Sequence, residues 1–505
     1  MTTPLQPRRG FRSKSAEPGP TSARSRPWGF VTKHQVSGWR FLIRRISNGV
    51  ALRDTRMLTD PLRRQGRALS VGLMLGVVLL AGAFILSIFK PAGASGNQVI
   101  LAERTSNQLY VKVNDELHPV LNLASARLIA GKPDAATVVK PAEIDKFPLG
   151  NTVGIPNAPS RMEQNPTRDA RWMLCDNVGA GAEAGTTVTS GDPVPGPGHA
   201  TPLPDDTAIL AIDNTDKSTW LIWGGKRSAI DLTNAAVTAA VGVNVDSPSP
   251  RPINRALLNL IPQSPPLVVP FVANAGDPPR FPWPVPGQAA PLIGSVVVDH
   301  DENNQVRYYV VGAEGVQPIS PVIAAILRAN DAYGLVEPPA LTPDQINKAS
   351  KVDVVPVDYY PTNAMQILDP TTNPVSCGQW VKLDGAPTST LTLLAGQSLP
   401  VAADAKPVVL NGAGALTAQR VILPKGTGYF VQVTGQQPES TTKESVFWLS
   451  DLGVRYGMES SGPGAGASPA QALGMTHDPL PIPWSLLSLF APGPTLSKDD
   501  ALVAH

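Results

Sequence analysis

Residues 69–89 read LSVGLMLGVVLLAGAFILSIF, 21 residues without a charged side chain. At a helical rise of 1.5 Å per residue the run extends roughly 31 Å, about the thickness of a bilayer's hydrocarbon core. It predicts a single transmembrane helix. Arg63, Arg64 and Arg67 precede it, whereas only Lys90 follows before a Pro/Gly/Ser-rich run. By the positive-inside rule residues 1–68 are expected in the cytoplasm and residues 91–505 on the far side. A secretory signal peptide fits less well, because 68 residues precede an apolar core longer than the usual one, although Ala92-Gly93-Ala94 resembles a cleavage site. A buried core helix fits less well too, since this one is apolar all round and abuts an arginine cluster. Gly72 and Gly76 form a GxxxG, and Ala83 continues the same small-residue face, on which another helix could approach closely.

The span divides the charge. The chain of 505 residues carries a net +2, yet residues 1–68 hold 15 Lys+Arg against 3 Asp+Glu, leaving the remainder acidic. Beside a membrane span, a basic segment is better matched to anionic inner-leaflet lipid than to nucleic acid. The acidic exported part has no reason to bind nucleic acid. Cys175 and Cys377 both fall on the exported side, where an even count reads as one disulfide closing a separation of 202 residues. A zinc site would need further ligands at short spacing, which this sequence lacks.

Residues 1–30, rich in Pro, Ser, Gly and Arg without apolar period, are expected to be a disordered basic tail. Residues 31–68 change character. Val36, Trp39, Ile43, Ile46 and Val50 recur at helical spacing among Lys33, Arg40, Arg44 and Arg45, and Pro61 reads as the stop. Trp39, Arg40, Ile43, Arg44 and Arg45 would then serve either a membrane-surface helix or a helix that docks on a cytoplasmic partner.

The run QVSGWRFLIRRISNGVALRDTRMLTDP, one span, LYVKVNDELHPVLNLASARLIAGKPD and the terminal ALGMTHDPLPIPWSLLSLFAPGPTLSKDDAL together resemble the EccB family. These are single-pass membrane components of the actinobacterial type VII (ESX) secretion core complex. The resemblance runs from about Gln35 to the carboxyl terminus. It implies a structural subunit of the export channel in the cytoplasmic (inner) membrane, with a large periplasmic region. The partners it implies are the FtsK/SpoIIIE-like EccC ATPase, EccD, EccE, the mycosin protease, secreted protein substrates and further copies of the chain in a ring. It implies no cofactor. The family has at times been labelled an ATPase.

The exported part repeats itself. Residues 100–103 and 110–113 read as strand, turn, strand, and the pattern returns at 208–212 with 220–223, at 296–298 with 309–311, and at 421–423 with 430–433. Pro119, Ala229 and Pro318 each stand nine residues after the aromatic, so three copies share one register. Helical stretches follow at Leu123, Asn234, Val322 and Glu444, then extended Pro-containing pieces at Ile155-Pro156, Ile261-Pro262, Val355-Pro356 and Ile482-Pro483. The expectation is an α+β exported region with four small αβ repeats around a β-rich central core. Repeats are placed at 97–159, 206–270, 290–361 and 421–500, and the two parts of the core at 162–205 and 362–420, joined by the disulfide.

Motifs for chemistry are scarce. The sequence has no GxxxxGK[ST], HExxH or GxSxG. Gly224-Gly225-Lys226-Arg227-Ser228 is a GK-like fragment, but Trp220 stands where the first glycine of a phosphate loop belongs. Asp299-His300-Asp301-Glu302-Asn303-Asn304 partly resembles a calcium loop, but Asn304 replaces the required glycine and Val310 the bidentate glutamate. His118 reads as a turn residue. No catalytic, cofactor or metal residues are assigned. A membrane-anchored ATPase or hydrolase of the same system, or a wall-binding ectodomain, are the alternatives to a structural subunit.

Overall fold

A computed structural model of the chain describes residues 32–53, 61–89, 96–181, 184–410, 417–459 and 467–505. The expected disordered tail, residues 1–30, lies outside them. The chain forms two compact units, residues 1–92 and 93–505.

In the first unit a helix spans Lys33–Leu52 and a second spans Pro61–Phe89. The first begins at a capping box: Gln35 N donates to Thr32 Oγ1 at 3.4 Å and Thr32 N to Gln35 Oε1 at 3.0 Å. It ends at Arg53, whose φ of 51° is left-handed. The stop therefore comes well before Pro61. That proline instead opens the second helix, where its missing N–H costs nothing and its fixed φ suits the first turn. The apolar helix thus starts earlier than expected, and residues 66–85 are long and apolar enough to cross a membrane.

Among the described residues the second unit is a mixed α/β body of five sheets. In the first sheet Ile100–Glu103, Leu109–Val113 and Glu116–Val120 form a meander, the helix Leu123–Ala130 follows, and Thr137–Val139 returns parallel to the first strand. The second sheet has the same order: Thr207–Asp213, Thr219–Trp223, Lys226–Ala229, helix Ala235–Val241, then Arg251–Ile253 parallel to the first strand. In the third, Val296–His300, Val306–Val311 and Val316–Ile319 precede helix Pro321–Asn330, and Ala340 bridges back to Val298 in parallel. Asn122, Asn234 and Ser320 cap these helices through their side chains, so Asn234 lies just outside its helix. Across each hairpin Tyr110 faces Pro119, Trp220 faces Ala229 and Tyr309 faces Pro318.

The fourth copy departs from expectation by one strand. Arg420–Ile422 pairs in parallel with residues 187–189 of the central sheet and not with the strand that follows it. The meander is instead Tyr429–Thr434, Val446–Leu449 and Val454–Met458, so the helix expected from Glu444 is a β-hairpin. Gly453, at φ 76°, closes its turn between β-branched and aromatic flanks, and that turn decides against a helix. The helix is Pro469–Leu473, and Leu480–Pro483 returns parallel to Tyr429–Thr434. Ile482-Pro483 therefore matches the returning strands of the other sheets rather than their later Pro-containing pieces.

The central sheet has seven strands. Ala170–Asn177 and Val375–Lys382 lie side by side at its middle through eight antiparallel residue pairs, flanked by Gly185–Ser190 and Thr390–Gly396. Three apolar clusters bind the sheets together. Trp172, Leu174 and Trp380 of the central sheet share one with Leu257 and Leu260 of the second and with Leu486 and Phe490 beside the fourth. The second and third sheets share another through Val237, Val241, Ile323 and Ile326. The first and fourth share a third, in which Ala124, Ala126 and Leu128 meet Trp448, Tyr456, Leu473 and Ala501. The last residues clasp the first sheet directly: Ala504 bridges Val153, and His505 N donates to Thr152 O at 2.9 Å.

Candidate functional site

On the apolar Pro61–Phe89 helix, Gly72, Gly76 and Ala83 are separated by four and seven residues, which brings them to one side. A Cβ added at Gly72 or Gly76 would meet nothing within 4 Å, and Ala83 is exposed. Around the same helix Leu73, Leu80 and Phe84 stand open as well. Water does not tolerate so large a continuous apolar surface, whereas lipid and a second helix do.

On the Lys33–Leu52 helix, Trp39, Ile43, Ile46 and Val50 are exposed as an apolar stripe, with Arg40, Arg44 and Arg45 exposed beside it. The sequence reading overlooked Phe41, also exposed, which at 100° per residue lies on the opposite side from the stripe. The helix therefore offers apolar surface in two directions.

In the second unit, Cys175 and Cys377 face each other across the two middle strands and form a disulfide, with their Cα atoms 4.0 Å apart. Next to it lies a buried ion pair for which the sequence offered no signal. Arg251, 1% exposed, meets Asp176 Oδ2 at 3.1 Å and donates to Asp176 O at 2.6 Å and Pro374 O at 3.0 Å. Asn254 N donates to the same carboxylate oxygen at 3.1 Å. Burial pulls the Arg251 pKa below the ordinary guanidinium value, and the Asp176 charge works against that shift. The pair ties the second sheet to the middle of the central one. Trp172 does the same for the fourth: its Nε1 donates to Pro481 O at 3.0 Å, and its ring meets Tyr429 edge-on at 5.1 Å.

The fragments examined for chemistry have structural partners. Gly224 and Gly225 make the turn of a hairpin in which Lys226 pairs with Trp223, so no helix follows the GK-like run. Arg227 lies over the Trp220 ring at 4.6 Å and donates to Ile261 O. Asp301 Oδ1 accepts from Asn303 N and Gln305 N, both at 2.9 Å, which builds a hairpin turn. His118 sits within a strand, not a turn, with Nδ1 2.9 Å from Asn151 O.

A family model described as "Type VII secretion system ESX-1, transport TM domain B", that of EccB, matches residues 28–505. The chain belongs to the EccB family. This EccB chain is 48% identical over 512 residues, covering 100% of it and 97% of its relative, to the ESX-3 secretion system ATPase EccB3 of Mycolicibacterium smegmatis. Among solved structures it is similar to an EccB3 dimer from the ESX-3 core complex, at 44% identity and a TM-score of 0.72, covering 81% of this chain and 100% of that one. It is also similar to a chain of an intact ESX-5 inner membrane complex, at 34% identity and a TM-score of 0.72, covering 95% and 96%. The name of that Mycolicibacterium smegmatis relative includes "ATPase". In this EccB chain, no group of three or more His, Cys, Asp or Glu side chains that could hold a metal ion occurs among the described residues.

Proposed function

We propose that this EccB chain is a structural subunit of a type VII secretion complex in the inner membrane, with its amino terminus in the cytoplasm and residues 91–505 in the periplasm. The observation that carries this reading is the match, over 95% of the chain, to a chain of a solved ESX inner membrane complex, combined with the one helix among the described residues long and apolar enough to cross a membrane, which lies in sequence between a basic segment and an α/β body. The higher identity to ESX-3 relatives than to the ESX-5 chain favours an ESX-3-type assembly. Its partners would be the EccC motor, EccD, EccE and the mycosin protease, with secreted proteins as cargo and further copies of itself completing a ring.

The first, second, third and fourth sheets are read as four copies of one unit. The support is their common order of meander, helix and parallel return, together with equivalent arginines on the third strand of the second and fourth sheets. Arg227 and Arg455 both reach carbonyls at the end of the unit's second short helix, Ile261 O in one case and Leu487, Ser488 and Phe490 O in the other. Mild detergent extraction and native electrophoresis test the function. A megadalton species that contains the motor is expected; a lone monomer would remove the reading.

Gly72, Gly76 and Ala83 would be the contact face for a neighbouring membrane helix. Gly72→Leu with Gly76→Leu is expected to leave insertion intact while shifting the native species to lower mass. An unchanged species would free those glycines from any packing role. The Lys33–Leu52 helix is read as a docking element for a cytoplasmic partner, because Phe41 and the Trp39 stripe face different ways and a flat lipid surface covers only one of them. Phe41→Asp should release cytoplasmic components while the chain stays in the membrane. If those components stay attached, lipid contact is the better account.

A further inference from the structure

Two clefts in the exported unit compete for attention. The larger, 880 Å³, opens on the third sheet and is lined by Arg307 and Lys351 together with Asp301, Glu302 and Asp353, so it selects neither sign of charge. The other, 480 Å³, lies where the central and fourth sheets adjoin, and its lining has one dominant chemistry. Lys382 leaves the end of a middle strand on one side, and Lys443 stands on the loop opposite. Thr434, Ser440, Thr441, Thr442 and Gln432 line the wall between them, with Gln432 Nε2 donating to Glu444 O at 3.0 Å. Asp478 is the one acid in this lining, and Pro479 and Pro481 supply a small apolar floor. A second hollow of 170 Å³ shares Lys382, Asp478 and both prolines, and extends the cleft past Arg168 and Asp384, which lie 3.8 Å apart as an ion pair.

That lining excludes several ligands. It contains no aromatic ring on which a base could stack and no broad apolar wall for an acyl chain. Two lysines disfavour a cation. An extended peptide would need a free strand edge, yet Tyr429–Thr434 is already paired on both sides. What remains is a compact molecule rich in hydroxyls, which hydroxyl and amide side chains can both donate to and accept from, and which carries a negative group for the lysines. We propose that this cleft binds an anionic saccharide, a sugar bearing a carboxylate or phosphate. The volume accommodates one or two rings.

Calorimetric titration of the detergent-solubilised full chain with glucuronate, glucose 6-phosphate, glucose and inorganic phosphate tests this assignment. Both charged sugars are expected to bind, glucose at least about tenfold more weakly, and the difference should shrink as salt is raised. Lys443→Gln should weaken the charged sugars about tenfold. Among the described residues Lys443 forms no ion pair, so an unchanged melting temperature is expected for that variant and shows that folding is intact. Should Lys443→Gln nevertheless unfold, Thr441→Val gives the same comparison from the hydroxyl side. Silence from both charged sugars would overturn the proposal, as would glucose binding equally well or the variants binding as the parent does. Inorganic phosphate matching glucose 6-phosphate would also overturn it, by reducing the cleft to an ion site. Polygalacturonate binding more tightly than its monomer would identify a polymer as the source of the sugar, and equal binding a free one; either supports the class.

Discussion

Replacing Arg251 with alanine is expected to destabilise the unit of residues 93–505 by about 3–5 kcal/mol, the cost of leaving a buried charge without its partner. Asp176, 4% exposed, would retain only the Asn254 N–H, and the carbonyls of Asp176 and Pro374 would lose the guanidinium that now donates to them. Removing both charges together, with Arg251→Met and Asp176→Leu, should cost much less, because an apolar pair of similar volume can substitute for a buried ion pair. Thermal unfolding of the three variants checks this. A loss below about 1 kcal/mol for Arg251→Ala would mean that water reaches the site.

Converting Cys175 and Cys377 to alanine should bring a loss of similar size. For a loop closed over 202 residues the chain-entropy estimate gives about 5 kcal/mol as an upper value. The eight ladder pairs between the same two strands do not lessen that figure, since the entropy is restored to the unfolded chain and not to the sheet. Reduction with denaturant present should therefore lower the unfolding midpoint clearly. An unchanged midpoint would show that the unfolded chain stays compact around these strands. Because Asp176 directly follows Cys175, the two sets of substitutions are in contact and their effects should not add.

Much of the fold could be read from local signals. The membrane helix is a composition signal and needs no partner to be recognised. The first three sheets were legible because their hairpins place turn residues at fixed offsets from an aromatic, and the pairing of Tyr110, Trp220 and Tyr309 with Pro119, Ala229 and Pro318 follows from that offset. Where the reading failed, the missing information was long-range. Residues 420–422 do form a strand, but nothing within it says that its neighbour is residues 187–189. The same holds for Asp176 and Arg251, which lie 75 positions apart among many similar charges. The cysteines were easier, being only two. Phe41 was missed for the opposite reason: a search for one periodic stripe discards an apolar residue that falls outside it.

The clasp between the first sheet and the chain's last residues bears on biogenesis. If residues 93–505 cross the membrane in chain order, residues 100–130 emerge long before Ala501 and His505 arrive to cover them. Contacts so far apart in the chain close slowly. Until then the early segment waits with open apolar surface, in need of a holdase or of sister subunits. A product that lacks residues 501–505 leaves the segment around Val153 without these contacts, and such a remnant is a natural target for quality-control proteases.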